Sequence, residues 1–168
     1  MNAYLDSKCT EFPRFYFLSP EELLEILAET KEPLRVQPHL KKCFEGISKL
    51  EFDDEKKIHG MYSAEGEKIP FTKIIDPVAA KGAVELWLSE VEQVMIGSVR
   101  TTVDGSYQAY KKAATRESWV TGWQGQAVLA VSMMCWTLEA EEAMKRSGIH
   151  GLEVYYEKLN TQVSTLFA

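Results

Sequence analysis

Hydrophobic positions follow two different regimes along the chain. Up to about residue 76 they come in short runs cut by prolines and polar clusters, and beyond it they recur at helical spacing over long stretches. The densest run is Phe12-Pro13-Arg14-Phe15-Tyr16-Phe17-Leu18-Ser19-Pro20-Glu21-Glu22-Leu23-Leu24-Glu25-Ile26-Leu27. Pro13 lacks an amide hydrogen and pushes its predecessor toward extended geometry, so an opening helix should stop near Glu11 or Phe12. Phe15, Tyr16, Phe17 and Leu18 then read as a short strand, and large apolar groups on both of its faces predict burial on both sides. Ser19 is a helix N-cap, Pro20 suits the first helical position and Glu22 completes a capping box. Leu18 and Leu23 form the hydrophobic staple around it, and the helix should run to about Glu29.

Pro33 breaks the chain again and Pro38 opens a second short helix, with Leu40, Cys43, Phe44 and Ile47 on one face, so the two helices should form a hairpin. Leu50 and Phe52 alternate with Lys49 and Glu51 as in a strand, and Asp53-Asp54-Glu55-Lys56-Lys57 reads as a solvated loop. Residues 58–62 and 68–71 flank Ser63-Ala64-Glu65-Gly66-Glu67, the signature of a β-hairpin. Pro70 confines the second strand to an edge. Residues 72–80, with Pro77 among them, read as a linker.

From Gly82 onward the pattern is wholly helical. Val84, Leu88, Val91, Met95, Ser98 and Thr102 make one stripe with Trp87 and Val94 beside it, and Gly97 and Gly105 weaken this helix without ending it. Thr115 caps the next segment, which carries Trp119 and Trp123 one turn apart. Gly122 and Gly125 predict a kink or break. From about Gln126 to Arg146 the helix is apolar on two faces, Leu129, Met133, Trp136 and Ala140 on one and Val128, Val131, Cys135 and Leu138 on the other, as expected of a central helix. Gly148 supplies its stop. A last helix shows Leu152, Tyr155, Tyr156, Leu159, Val163 and Leu166 on one face. The fold class is therefore mainly α with a small antiparallel β element. Residues 1–76 should form a helix pair plus a small β-hairpin lobe, and residues 77–168 a long-helix bundle. Asn2 to Lys8 read as the last turns of a helix, and the apolar pattern of Val163, Leu166 and Phe167 is still running at the end, so the chain reads as a piece cut from a longer polypeptide.

Composition narrows the function more than the fold. With 168 residues, 45% of them hydrophobic, the chain is long enough to bury a substantial core. A net charge of −6 without a basic stripe argues against a nucleic-acid partner. No apolar run approaches the roughly 20 residues a bilayer span needs, so no membrane partner is expected. The three cysteines, Cys9, Cys43 and Cys135, are far apart and read as buried small hydrophobes in a reducing, intracellular setting.

Candidate chemistry is sparse. His39, His59 and His150 are scattered, with no Cys, His or Asp at metal-ligand spacing. There is no nucleophile elbow, no phosphate loop and no dinucleotide fingerprint, and Gly122-Trp123-Gln124-Gly125 lacks the following Lys and Ser/Thr. Asp53 to Glu55 sit in a polar loop with nothing to desolvate them. The residues by themselves describe a module made for packing and force-bearing contact, with no catalytic, cofactor or metal site.

Phe12-Pro13-Arg14-Phe15-Tyr16-Phe17-Leu18-Ser19, Glu22 to Leu27, Gln37-Pro38-His39-Leu40 and Cys43-Phe44-Glu45 together resemble the linker region of dynein heavy chains. The likeness continues through Met61 to Glu67, Val84-Glu85-Leu86-Trp87-Leu88 and Trp136-Thr137-Leu138-Glu139, nearly the whole chain in order. Gln37 to Leu40 are worded more like axonemal than cytoplasmic heavy chains. One departure stands out: family members commonly read Trp-Pro-Gly-Gln where this chain has Trp123-Gln124-Gly125-Gln126, which implies a softer break there.

The resemblance implies segments of an elongated, helical linker arm, a lever that crosses an AAA+ ring and turns its ATP-driven changes into microtubule-based movement. It implies that the segment itself needs no cofactor, with ATP and Mg held in the ring. The implied partners are that ring, the microtubule and dynein accessory chains, and the implied location is the cytoskeleton, at the axoneme of a cilium or flagellum. Within the best-matching stretch, Ala64, Glu65 and Glu67 at the hairpin tip are the candidates for contact with another part of such a motor. The competing expectations are a non-motor helical scaffold whose hairpin or final tyrosine stripe docks a partner, and an enzyme with an unrecognised site.

Overall fold

The computed structural model describes residues 2–28 and 32–166, and the expected end of the second helix at Glu29 lies outside them, as does Phe167. The chain divides into two compact units, the first ending at Val99 and the second beginning at Arg100. This division falls inside a helix; the boundary expected at 76/77 lies instead where the sheet hands over to a 3₁₀ turn at Pro77–Ala80.

In the first unit, helix α1 (Asn2–Glu11) stops just before Pro13, as its missing amide requires. The segment after it is not a strand. Pro13–Phe17 form a 3₁₀ helix, closed by Phe15 N–H to Phe12 O at 3.0 Å and Leu18 N–H to Phe15 O at 3.1 Å. Three residues per turn place every third side chain on one face. Phe12, Phe15 and Leu18 therefore enter the core, while Tyr16 and Phe17 are 66% and 67% exposed. A run that is apolar at every position carries no period of its own, and Pro13 decides it.

The capping box forms reciprocally at α2 (Pro20–Ala28): Ser19 N–H donates to Glu22 Oε2 at 3.0 Å, and Glu22 N–H donates to Ser19 Oγ at 3.3 Å. Helix α3 (Gln37–Cys43) is shorter than the apolar spacing suggests. Phe44 and Ile47 lie beyond its end yet are buried. Strands β1 (Lys49–Phe52), β2 (Ile58–Tyr62) and β3 (Lys68–Ile75) make an antiparallel sheet in the order β1-β2-β3. Residues 72–75, expected as linker, extend β3, and Thr72 N–H donates to Ser98 Oγ at 3.0 Å. Pro70 sits on this edge strand opposite Gly60, where any Cβ would lie 2.8 Å from Ile69 O.

Helix α4 (Val84–Lys112) begins in this unit and runs on past Val99. Its Val84, Trp87, Leu88, Val91 and Val94 share one core with Phe12, Phe15, Ile26, Leu40, Ile58 and Ile75. Two ion pairs join the opening helices to α4, Lys8 to the buried Glu85 at 2.5 Å and Arg14 to Glu92 at 2.9 Å.

In the second unit, Thr115 caps α5 (Arg116–Val120) by accepting from Ser118 N–H. Trp119 is the centre of a small core with Val131 and Cys135, and its indole N–H donates to Ser106 O at 2.9 Å. Helix α6 (Gly125–Leu166) is two helices in one: Ser147 and Gly148 leave helical geometry, Gly148 at φ +58°, ψ −138°. Lys158 Nζ reaches Glu139 Oε2 at 3.2 Å, whereas nineteen residues of straight helix would separate them by about 28 Å. The chain therefore folds back at Gly148, the expected stop. The expected central helix is covered on one side only. Ala127, Val131 and Cys135 are buried, but Leu129, Met133, Trp136 and Leu138 are exposed. Of the last helix's apolar face Tyr155 is buried, Tyr156 and Val163 are exposed, and the Leu166 side chain lies outside the described residues.

Candidate functional site

The hairpin tip forms where the polar run predicts it. Ser63 N–H donates to Glu67 O at 2.9 Å, Gly66 N–H to Ser63 O at 3.2 Å, and Glu67 N–H to Ser63 Oγ at 3.2 Å. Gly66 adopts φ +85°, which a side chain would strain, although nothing lies within 4 Å of where its Cβ would be. Its backbone requirement is thus conformational. Ala64, Glu65 and Glu67 come together on this one exposed turn in the first unit.

A second arrangement, in the second unit, was not anticipated. Arg116 Nη2 donates to Tyr110 Oη at 2.5 Å, and Tyr110 Oη donates to Glu139 at 2.7 Å. The Arg116 guanidinium also stacks 4.0 Å from the Tyr110 ring centroid and reaches Gln162 Oε1 at 3.4 Å. Burial, and then the bond to Glu139, push the Tyr110 hydroxyl well above its ordinary range, so it stays a neutral donor. Burial opposes ionisation of Glu139, but the Tyr110 hydroxyl and Lys158 outweigh it and hold the carboxyl below its ordinary value. The only sequence signal for this network was Glu139 itself, an acid ending the apolar run from Val128 to Leu138.

Beside this network opens a cleft of 360 Å³. Val120 of α5, Met133 and Trp136 of the first half of α6, and Tyr155, Leu159 and Val163 of its second half give it apolar walls, with Arg116 and Gln162 at its polar side. Burial is the main cause that raises both tyrosine hydroxyls of the cleft, Tyr110 and Tyr155, above their ordinary values, and it likewise pushes up the thiol of the buried Cys135.

His59 Nε2 lies 2.6 Å from Asp53 Oδ2, His39 of α3 lies near Glu25 of α2, and His150 lies near Glu153, so each histidine meets one carboxylate. Among the described residues no group of three or more His, Cys, Asp or Glu could hold a metal ion, and no helix is long and apolar enough to cross a membrane. Asp53 also accepts from Lys57 N–H, which makes the acidic run a turn-closing device.

Residues 1–106 match the family described as dynein heavy chain, N-terminal region 2. The chain belongs to the dynein heavy chain family. It is 52% identical over 166 residues to mouse dynein axonemal heavy chain 12, covering 99% of this chain and 5% of that protein. Mouse dynein axonemal heavy chain 3 is 51% identical, with 99% and 4% covered, and rat dynein axonemal heavy chain 1 is 44% identical, with 100% and 4% covered. The chain thus spans about a twentieth of the length of the curated relatives it matches. The family match takes in the 3₁₀ turn, the capping box, the whole sheet and most of α4, and so includes the hairpin tip.

Proposed function

We propose that this chain is a segment of the mechanical linker, the lever arm, of a dynein heavy chain, and that residues 1–76 and 77–168 are parts of one linker domain. In this reading it passes ATP-driven changes of an AAA+ ring into microtubule-based movement. The observation that supports it most is the dynein heavy chain match over residues 1–106, continued by axonemal relatives across nearly the whole chain. The segment itself is non-catalytic, and ATP and Mg are bound by the ring. Its partners are the ring of the same heavy chain and, through the complete motor, the microtubule and accessory chains. Its place is the cytoskeleton, at the axoneme of a cilium or flagellum. Ala64, Glu65 and Glu67 serve as a contact point with another part of the motor, since an exposed turn on a packed sheet is a rigid place from which to present side chains.

A load-bearing arm needs elements that do not shear past one another. In the first unit, Lys8–Glu85 and Arg14–Glu92 tie the opening helices to α4 at points two helical turns apart. Serine at positions 64, 65 and 67 with Gly66 retained tests the reading in a full-length heavy chain. ATPase should persist while gliding velocity falls. Velocity and ATPase both at wild-type values would remove the tip from the mechanism. A non-motor scaffold is favoured by one observation only, the exposed Leu129, Met133 and Trp136, and deletion of residues 1–168 from the heavy chain without any loss of gliding would support it.

A further inference from the structure

We propose that the cleft of the second unit is a docking groove for one amphipathic α-helix from outside these 168 residues, bearing an Asp or Glu that meets Arg116. This goes beyond the lever-arm reading and does not depend on it. Two features lead to it. The first is shape: Met133 and Trp136, 64% and 57% exposed, stand with Val163 along the cleft, and Leu129 extends the same stripe one turn further down α6. Spacing of i, i+4 and i+7 is the footprint a neighbouring helix leaves, and an apolar strip of this kind at the surface marks an interaction site. A volume of 360 Å³ fits a few apolar side chains rather than a whole helix, which would lie along the stripe with its anchors inserted.

The second feature is charge. Among the described residues no carboxylate pairs directly with Arg116: its guanidinium donates to the Tyr110 hydroxyl and the Gln162 amide, and the charge of Glu139 reaches it only across Tyr110 and is shared with Lys158, which leaves two cations facing one carboxylate. A guanidinium carries five donors, so several remain for an incoming carboxylate, and its stacking on the Tyr110 and Trp119 rings holds it in place before anything binds. The cation sits at the border of an apolar cleft, where water screens it less than on an open surface. A helix that matches the apolar wall and brings an acid is therefore preferred over one that brings a base.

A second copy that paired symmetrically through the same stripe would be the wrong occupant. Its own exposed stripe, residues 129–138, contains no Asp or Glu to meet Arg116.

The test uses the purified 168-residue chain and a displayed library of amphipathic helices about five turns long, with a fixed leucine stripe and randomised flanking positions. Selected helices should carry Asp or Glu at one flanking position, and exchanging that acid for Lys should weaken binding about tenfold or more. Arg116→Gln should remove this preference and Arg116→Lys restore part of it. Met133→Glu changes an exposed side chain, so the chain stays folded by its melting curve, and it should abolish capture altogether. Several outcomes overturn the proposal: no helix selected, selected helices indifferent to the acid, capture that survives Met133→Glu, or self-association of the chain that Met133→Glu prevents.

Discussion

Gln37 hydrogen-bonds Leu50 in both directions, its side-chain Nε2 donating to Leu50 O at 2.9 Å and its Oε1 accepting from Leu50 N–H at 3.0 Å. One side chain thus does for β1 what a further strand would do, and satisfies both backbone groups of a residue that is almost fully buried. It also blocks that sheet edge against pairing with another chain. Gln37→Leu leaves both groups unpaired, and each costs roughly 1–3 kcal/mol when buried. We expect a loss of about 2–4 kcal/mol in urea unfolding. A loss under about 0.5 kcal/mol, the level of an ordinary surface change, would show that Leu50 finds other partners.

The three-residue period of the opening turn sets a second expectation. Phe15→Ala should cost about 3–5 kcal/mol, because it hollows a fully buried site. Phe17→Ala, two residues on but facing solvent, should stay within about 0.5 kcal/mol. Ser19→Ala should fall between them at about 1 kcal/mol, the worth of a cap. Equal losses for the two phenylalanines in chemical denaturation would mean that the segment is extended after all.

How far the sequence could be read follows from these residues. Caps, breaks and turns were legible because each depends on one or two residues with a local mechanism: Ser19 with Glu22, Thr115, Pro13, Gly66 and Gly148. The 3₁₀ turn was not, since Phe15-Tyr16-Phe17-Leu18 offers no polar position to reveal a period. The exposed side of α6 was misread for a related reason. Amphipathic spacing shows that a face is apolar, but not which element covers it, and none of the described residues covers Leu129, Met133 or Trp136. The Tyr110–Arg116–Glu139 network joins residues far apart in the chain, and only the fold-back at Gly148 brings Gln162 and Lys158 to it.

Glu22 makes a pH prediction. The bond from Lys42 Nζ at 2.6 Å, and then the backbone N–H of Ser19, lower its carboxyl from 4.5 to about 2. A depressed carboxylate stabilises the fold above its unfolded value, and that contribution is lost as pH falls through the folded one. Melting curves of the wild type and of Glu22→Gln should differ at neutral pH and converge as pH drops from about 4.5 to about 2. A difference independent of pH would assign the effect to the neutral hydrogen bonds of the capping box.

Gly151 shows how closely the two halves of α6 approach. A Cβ built there would lie 2.1 Å from Ala143 O and 2.9 Å from its carbonyl carbon, both backbone atoms that no rotamer change can move aside. Gly148 differs: nothing lies within 4 Å, but φ is +58° and ψ −138°, so a side chain there strains the backbone without a clash. Gly151→Ala should therefore open the fold-back, lengthening the Lys158–Glu139 ion pair and drawing Gln162 away from Arg116, at a cost of about 1–3 kcal/mol from overpacking. At ψ −138° the backbone lies outside the left-handed helical region that Asn tolerates, so Gly148→Ala and Gly148→Asn should both destabilise. In an isolated helix Gly→Ala would instead be worth about 1 kcal/mol of added stability. The sign alone thus decides. If Gly151→Ala raises the melting temperature, the two halves do not pack at this crossing, and the groove beside Arg116 loses one of its walls.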